Sequence, residues 1–158
     1  NICPFAKHTV SQETVAIELL HPHNVEQALE SMMTSIVRMD QDTKIETALL
    51  LFPYLFSDFE DYLDFVSLAD ELLSLSGYDG VYQLATFHPN YCFADVLPAD
   101  VSNYTNRSPY PMLHILRENS IEKAIHYYGD TSNIPDTNIG KMHQLGLDKI
   151  SRLLKNLT

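Results

Sequence analysis

The sequence predicts an α/β fold, and three observations predict it. Three short, β-rich apolar runs alternate with two longer stretches whose apolar residues recur at helical spacing. Each run stops beside a proline, at His21-Pro22, Phe52-Pro53 and His88-Pro89. Beyond the third run the chain reads as mostly helical. The expected architecture is a small, mostly parallel three-stranded sheet built from a β-α-β-α-β unit, flanked by helices, with a helical C-terminal part.

The elements follow in order. CPFA at residues 3–6 reads as the exit of an element that began earlier. Residues 14–20 (TVAIELL) carry β-branched side chains at Thr14, Val15 and Ile17 and read as a strand. Asn24 stands three residues before Gln27, a capping-box spacing, and opens a helix over 25–39 on Val25, Ala28, Leu29, Met32, Ile36 and Val37. Residues 45–52 (IETALLLF) are nearly continuous apolar sequence, as in a strand covered on both faces.

Ser57 and Glu60 repeat the capping spacing before an amphipathic helix that includes Phe59, Tyr62, Phe65, Ala69 and Leu73, with Gly77 as its C′ residue. Asp79-Gly80 turns into a third strand over 81–87 (VYQLATF). The later elements are a short helix over 112–117 beginning after Pro111, a second over 120–128 capped by the Asn119/Glu122 pair, a third over 136–144 broken near Gly146, and a last one capped by Asp148. If the three strands are parallel, their ends share one edge of the sheet, the usual ligand edge of open α/β sheets. His21 and His88 then become candidate neighbours.

Size and composition narrow the function classes. At 158 residues the chain fits one domain, residues 1–158, with 45 % hydrophobic and 20 % charged residues. A net charge of -11 with no basic patch argues against nucleic acid and anionic membranes as partners. No segment approaches the roughly 20 apolar residues of a membrane span. The opening NICPFAKH lacks the basic-then-apolar pattern of a signal peptide. The two cysteines, Cys3 and Cys92, make no framework pattern and read as free thiols in a cytoplasmic protein. Asn-X-Ser/Thr triplets at Asn103, Asn106 and Asn156 would matter only in a secreted chain. A homo-oligomer is not readable from the sequence.

Candidate chemistry concentrates in residues 87–118. Lys and Arg are absent from residues 45–106, so Arg107 is an isolated cation amid Tyr91, Asn103, Tyr104 and Asn106. Its planar guanidinium suits bidentate binding of a carboxylate or phosphate, although Asp100 is a candidate partner that would make it a loop staple. His114, Arg117 and Glu118, at helical spacing, would share one face and present an imidazole, a guanidinium and a carboxylate. His88, at a strand end, is a candidate base or a side chain that ties down the turn before Pro89. Cys3 is a candidate nucleophile or a small apolar side chain.

A metal site would have to draw on His21, His23, His88 and His114, and no paired-ligand pattern supports one. Glycine-rich phosphate loops and a G-x-S-x-G elbow are absent. No cofactor is indicated. The connection over 90–111 is long for a structureless loop and is expected to be ordered over the strand-end crevice.

The runs CPFAK at 3–7, GYDGVYQLATFHPNYCFAD at 77–95, NYTNRSPYPMLHILRE at 103–118 and IPDTNIG at 134–140 resemble the bacterial domain of unknown function 1415 family over nearly the whole chain. The resemblance implies an intracellular bacterial protein with a helix upstream of Asn1, and it implies no reaction. Its pattern coincides with Cys3, Pro4, His88, Pro89, Tyr91, Asn103, Tyr104, Asn106, Arg107, His114, Arg117 and Glu118. Lys7 stands where relatives carry arginine, and Cys92 where they often carry a polar residue.

Three functions compete. One is an enzyme acting on a small anionic metabolite, with Cys3 as nucleophile, His88 or His114 as base, and Arg107 with Arg117 holding the anion. The second is a non-catalytic module binding an anionic small molecule or peptide. The third is an interaction domain whose polar cluster is structural.

Overall fold

The structure is a computed structural model that describes Cys3 and residues 6–155. Most of the expected exit at residues 3–6, the end of the last apolar stripe and the Asn156 triplet lie outside the described residues. A short helix α1 (Ala6–Ser11) leads into strand β1 (Val15–Leu19), helix α2 (Val25–Gln41), strand β2 (Thr47–Leu51), helix α3 (Phe59–Leu75) and strand β3 (Tyr82–Phe87). A 3-10 helix (Val101–Thr105) interrupts the long connection to strand β4 (Met112–Arg117). Helices α4 (Glu118–Tyr128), α5 (Ile134–Leu145) and α6 (Leu147–Lys155) complete the described chain.

The β-α-β-α-β element order forms as expected, but the sheet is mixed rather than mostly parallel and has four strands, not three, in the order β1-β2-β4-β3. β1 and β2 pair in parallel, and β4 runs antiparallel to both β2 and β3. β1, β2 and β3 therefore point the same way, and their proline-stopped ends share one edge, here called the carboxyl edge.

The fourth strand corrects the helix expected over 112–117. Pro111 and the spacing of His114, Arg117 and Glu118 suggest a helix locally. The alternation of Leu113 and Ile115, both fully buried, fits a pleated strand instead. Ladders on both sides decide the matter: Leu113 pairs with Leu50 and Thr86, and Ile115 with Ala48 and Leu84. The insertion also places β1 and β3 at opposite edges, three inter-strand steps or roughly 14 Å apart. His21 and His88 share the carboxyl edge without being neighbours.

The core lies between one sheet face and the helices α2 and α3. Ala28, Met32, Ile36 and Met39 from α2 and Tyr62, Phe65, Ala69 and Leu73 from α3 pack with Ala48, Leu50, Phe52, Leu113 and Ile115. Asn24 caps α2 by accepting from Gln27 N–H at 2.9 Å, while Gln27 Oε1 accepts from His23 N–H at 2.9 Å.

α3 starts one residue later than the Ser57/Glu60 pair suggests. Its cap is Asp58, which accepts from the N–H groups of Glu60 and Asp61. At its other end Gly77, at φ 78°, donates to Ser74 O while Tyr78 donates to Leu73 O. These two bonds are a Schellman ending, and they need the left-handed backbone that glycine adopts without strain. α4 begins directly at Glu118, with no side-chain cap from Asn119. α6 begins at Leu147, which places Asp148 inside the helix as a first-turn acid. Among the described residues, no helix is long and apolar enough to cross a membrane.

Candidate functional site

Residues 88–111 wrap the carboxyl edge beside β3, and the motif side chains shape that wrapping. His88 is fully buried where β3 ends. Its Nε2–H donates to Phe56 O at 2.8 Å, and its Nδ1 accepts from Asn90 N–H at 3.0 Å, so both nitrogens are committed to main chain. These bonds define one neutral tautomer. Burial holds the pKa of His88 below the ordinary value, opposed by its bond to the Phe56 carbonyl. Phe56 sits at φ 63°, a conformation that L side chains adopt rarely, and His88 anchors its carbonyl there.

The asparagines act in the same way. Asn103, fully buried, accepts from Phe93 N–H and donates to Leu97 O. Asn106 donates from Nδ2 to Thr86 O at 3.1 Å, and its carbonyl accepts from His88 N–H at 3.2 Å, so it covers the last part of the outer edge of β3. Tyr91 is half-buried against Phe59 and Phe93. Cys92 is a free thiol whose Sγ lies 3.3 Å from Val96 O.

Arg107 crosses this loop. Nε donates to Tyr91 O at 3.0 Å, Nη2 donates to Pro98 O at 2.8 Å, and the guanidinium carbon stands 4.6 Å from the centre of the Tyr104 ring. Asp100 is not its partner: it caps the 3-10 helix through Ser102 N–H and approaches His143 at 3.7 Å. Among the described residues no carboxylate pairs with Arg107, and its Nη1 carries no hydrogen bond. Leu97, next to the Pro98 carbonyl, is 77 % exposed.

The remaining candidates lie elsewhere. Three residues apart on a strand, His114 and Arg117 project to opposite faces of the sheet. Arg117 sits at the amino edge, where Nε donates to Ile45 O, Nη1 to the Tyr82 hydroxyl and Nη2 to Met39 O. It lies across the length of β3 from Arg107, roughly 15–20 Å away. Glu118 stands at the same amino edge, where its N–H donates to Val81 O.

His114 contacts Thr47 through Nε2 in a short hydrogen bond. The Thr47 hydroxyl gives its single proton to Ile115 O at 2.7 Å, so His114 Nε2–H is the donor between the two side chains and Nδ1 keeps its lone pair. Burial lowers the His114 pKa to about 4. Cys3 is an exposed free thiol. His21 is exposed and stacks on Tyr54 at 5.3 Å. Among the described residues, no group of three or more His, Cys, Asp or Glu is placed to hold a metal ion.

Sequence reasoning missed Thr47, Phe56 and Tyr62. The Tyr62 hydroxyl donates to Met112 O at 2.7 Å and accepts from Phe87 N–H at 3.3 Å, stitching the last β3–β4 pair. A tyrosine among apolar helix positions was its only signal. An open groove lined by Val25, Leu29, Met33 and Leu72 lies between α2 and α3 and includes none of the motif residues.

These features define an α/β module in which a set of buried and half-buried polar side chains orders one long connection around a single cation. More particularly, the chain belongs to the family of proteins of unknown function DUF1415, whose model matches residues 1–152. No curated protein and no solved structure matches the chain.

Proposed function

We propose that this chain is a non-catalytic binding module that recognises an acidic peptide, with Arg107 receiving a carboxylate or phosphate. One observation carries the reading. Arg107 is held in place by two carbonyls and an aromatic ring, has no carboxylate partner among the described residues, and keeps Nη1 unengaged. A guanidinium already ordered by the loop loses little further entropy on binding. Exposed Leu97 beside the Pro98 carbonyl supplies an apolar contact next to the charge. The surrounding polar side chains bond main chain at short range, which suits a rigid recognition surface better than a moving catalytic group.

The enzyme reading is less well supported. His88 has both nitrogens committed, while Arg107 and Arg117 stand at opposite edges of the sheet and do not converge on one anion.

Calorimetric titration with an octaglutamate peptide and with inorganic phosphate tests the reading. Saturable peptide binding that weakens about tenfold or more in Arg107→Lys and in Leu97→Ser is expected, the lysine keeping charge but losing the fork. Peptide binding indifferent to both substitutions contradicts it, and binding of phosphate alone reassigns the site to a small anion.

A further inference from the structure

We propose that the chain forms a two-fold dimer by antiparallel pairing of β1 with β1 of a second copy, which joins two four-stranded sheets into one of eight strands. This inference is independent of the Arg107 reading and begins from a difference between the two sheet edges. The outer edge of β3 is capped at both ends, where Tyr82 N–H donates to Tyr78 O, and Asn106 bonds Thr86 O and receives His88 N–H. Among the described residues, nothing bonds the outer edge of β1. Thr14 O accepts from Glu46 N–H and Leu20 N–H donates to Leu51 O, so the even-numbered residues of this stretch turn their main-chain groups toward β2. By alternation, the N–H and C=O groups of Val15, Ile17 and Leu19 point outward, and among the described residues none of them has a partner.

β1 also lacks the devices that keep an edge strand single. VAIEL has no proline and no lysine, and its pairing with β2 has no bulge. Its one charge is turned onto α2, where Glu18 accepts from Ser35 Oγ at 2.7 Å and from Arg38 at 3.2 Å. Ile17 and Leu19 are 69 % and 57 % exposed.

A second copy fits this edge because an antiparallel strand pair satisfies its own two-fold axis. A register centred on Ile17 pairs all five residues, with Val15 against the partner's Leu19 and Glu18 against the partner's Ala16. Each outward N–H and C=O then finds its mate. A register centred on Glu18 would set two carboxylates directly opposite each other, which is destabilising. One centred on Ala16 would run Leu19 against Glu13, whose φ of 56° has already left strand geometry. In the Ile17 register, the apolar strip of Val15, Ile17 and Leu19 meets its own copy and continues the half-buried Leu49 and Leu51. The strip is uncharged, so two chains of net charge -11 meet where neither carries charge. A contact built around one strand lies at the small end of stable interfaces, so its Kd is expected in the micromolar range, about 1–100 μM.

Sedimentation velocity from about 1 μM to 1 mM, paired with amide hydrogen exchange, tests the proposal. A concentration-dependent dimer is expected, with the amides of Val15, Ile17 and Leu19 gaining protection as it forms. Ile17→Lys should raise the dimer Kd at least about tenfold with unchanged circular dichroism, since the side chain is already exposed. Gln83→Lys, equally exposed but on β3 at the opposite edge of the sheet, should leave the dimer intact. A monomer at every concentration overturns the proposal. So does a dimer in which these three amides stay fast-exchanging, or one that survives Ile17→Lys.

Discussion

His88 and His114 are both neutral and largely buried, so pH acts on them through the unfolded chain. Below the ordinary histidine pKa of 6.5, the unfolded state takes up a proton that folded His114 refuses until about pH 4. Stability contributed by His114 is therefore complete above pH 6.5 and falls as pH drops toward 4, by on the order of 3 kcal/mol over the window. Denaturant titrations of the wild type and His114→Asn at steps between pH 7 and 4 isolate this contribution. The wild type should lose more stability than the variant, and parallel curves would show that His114 titrates normally.

His88 has a second consequence. His88→Ala leaves Phe56 O and Asn90 N–H without partners in a buried site and opens a cavity, so a loss of about 2–4 kcal/mol in urea unfolding is expected. The positions of these residues at a strand end and in a distinctive run were legible in the sequence. Their roles were not, because the partners are main-chain groups such as Phe56 O, Tyr91 O and Pro98 O, which have no side-chain signature.

At the scale of elements, the carboxyl edge depends on α3. Tyr62 reaches from this helix to close the final β3–β4 pair, and burial keeps its phenol protonated well above the usual range. Tyr62→Phe removes one hydroxyl and leaves Met112 O and Phe87 N–H unsatisfied. It should cost about 1–3 kcal/mol and speed exchange of the Phe87 amide more than that of the Ala85 amide, which faces β4 opposite His114. Equal effects on both amides would show that the hydroxyl has no local stitching role.

β1, α2, β2, α3 and β3 were legible because their hydrophobic periods are long and their ends are marked by proline, Asn24 and Gly77. β4 was not. Its six residues carry a helix-like spacing of polar groups, and only pairing with β2 and β3 on either side turns Leu113 and Ile115 into core. Long-range pairing thus overrode local pattern, separating His114 from Arg117 and His21 from His88 in one step.

At the scale of the whole molecule, acidity dominates. The chain carries 21 acidic residues against 10 basic ones, and its Arg38–Glu18 pair is largely exposed on the arginine side. Self-repulsion therefore outweighs what salt can remove from surface pairs. Raising NaCl from about 20 mM to 500 mM should increase stability by on the order of 1 kcal/mol, or about 2–4 °C in Tm by calorimetry. A fall in Tm would mean that favourable pairs outweigh the repulsion.

Against this negative background, Arg107 is distinguished by a guanidinium that two carbonyls and the Tyr104 ring hold in place while Nη1 stays unengaged among the described residues. The decisive measurement is the NMR resonance of the Arg107 Nε–H during titration with octaglutamate. A saturable shift of that resonance is expected, larger than the one inorganic phosphate produces, while the Asn103 side-chain amide stays in place. An Arg107 resonance that does not move at saturating peptide, or that moves no more than the Arg117 Nε–H, would contradict the acidic-peptide reading.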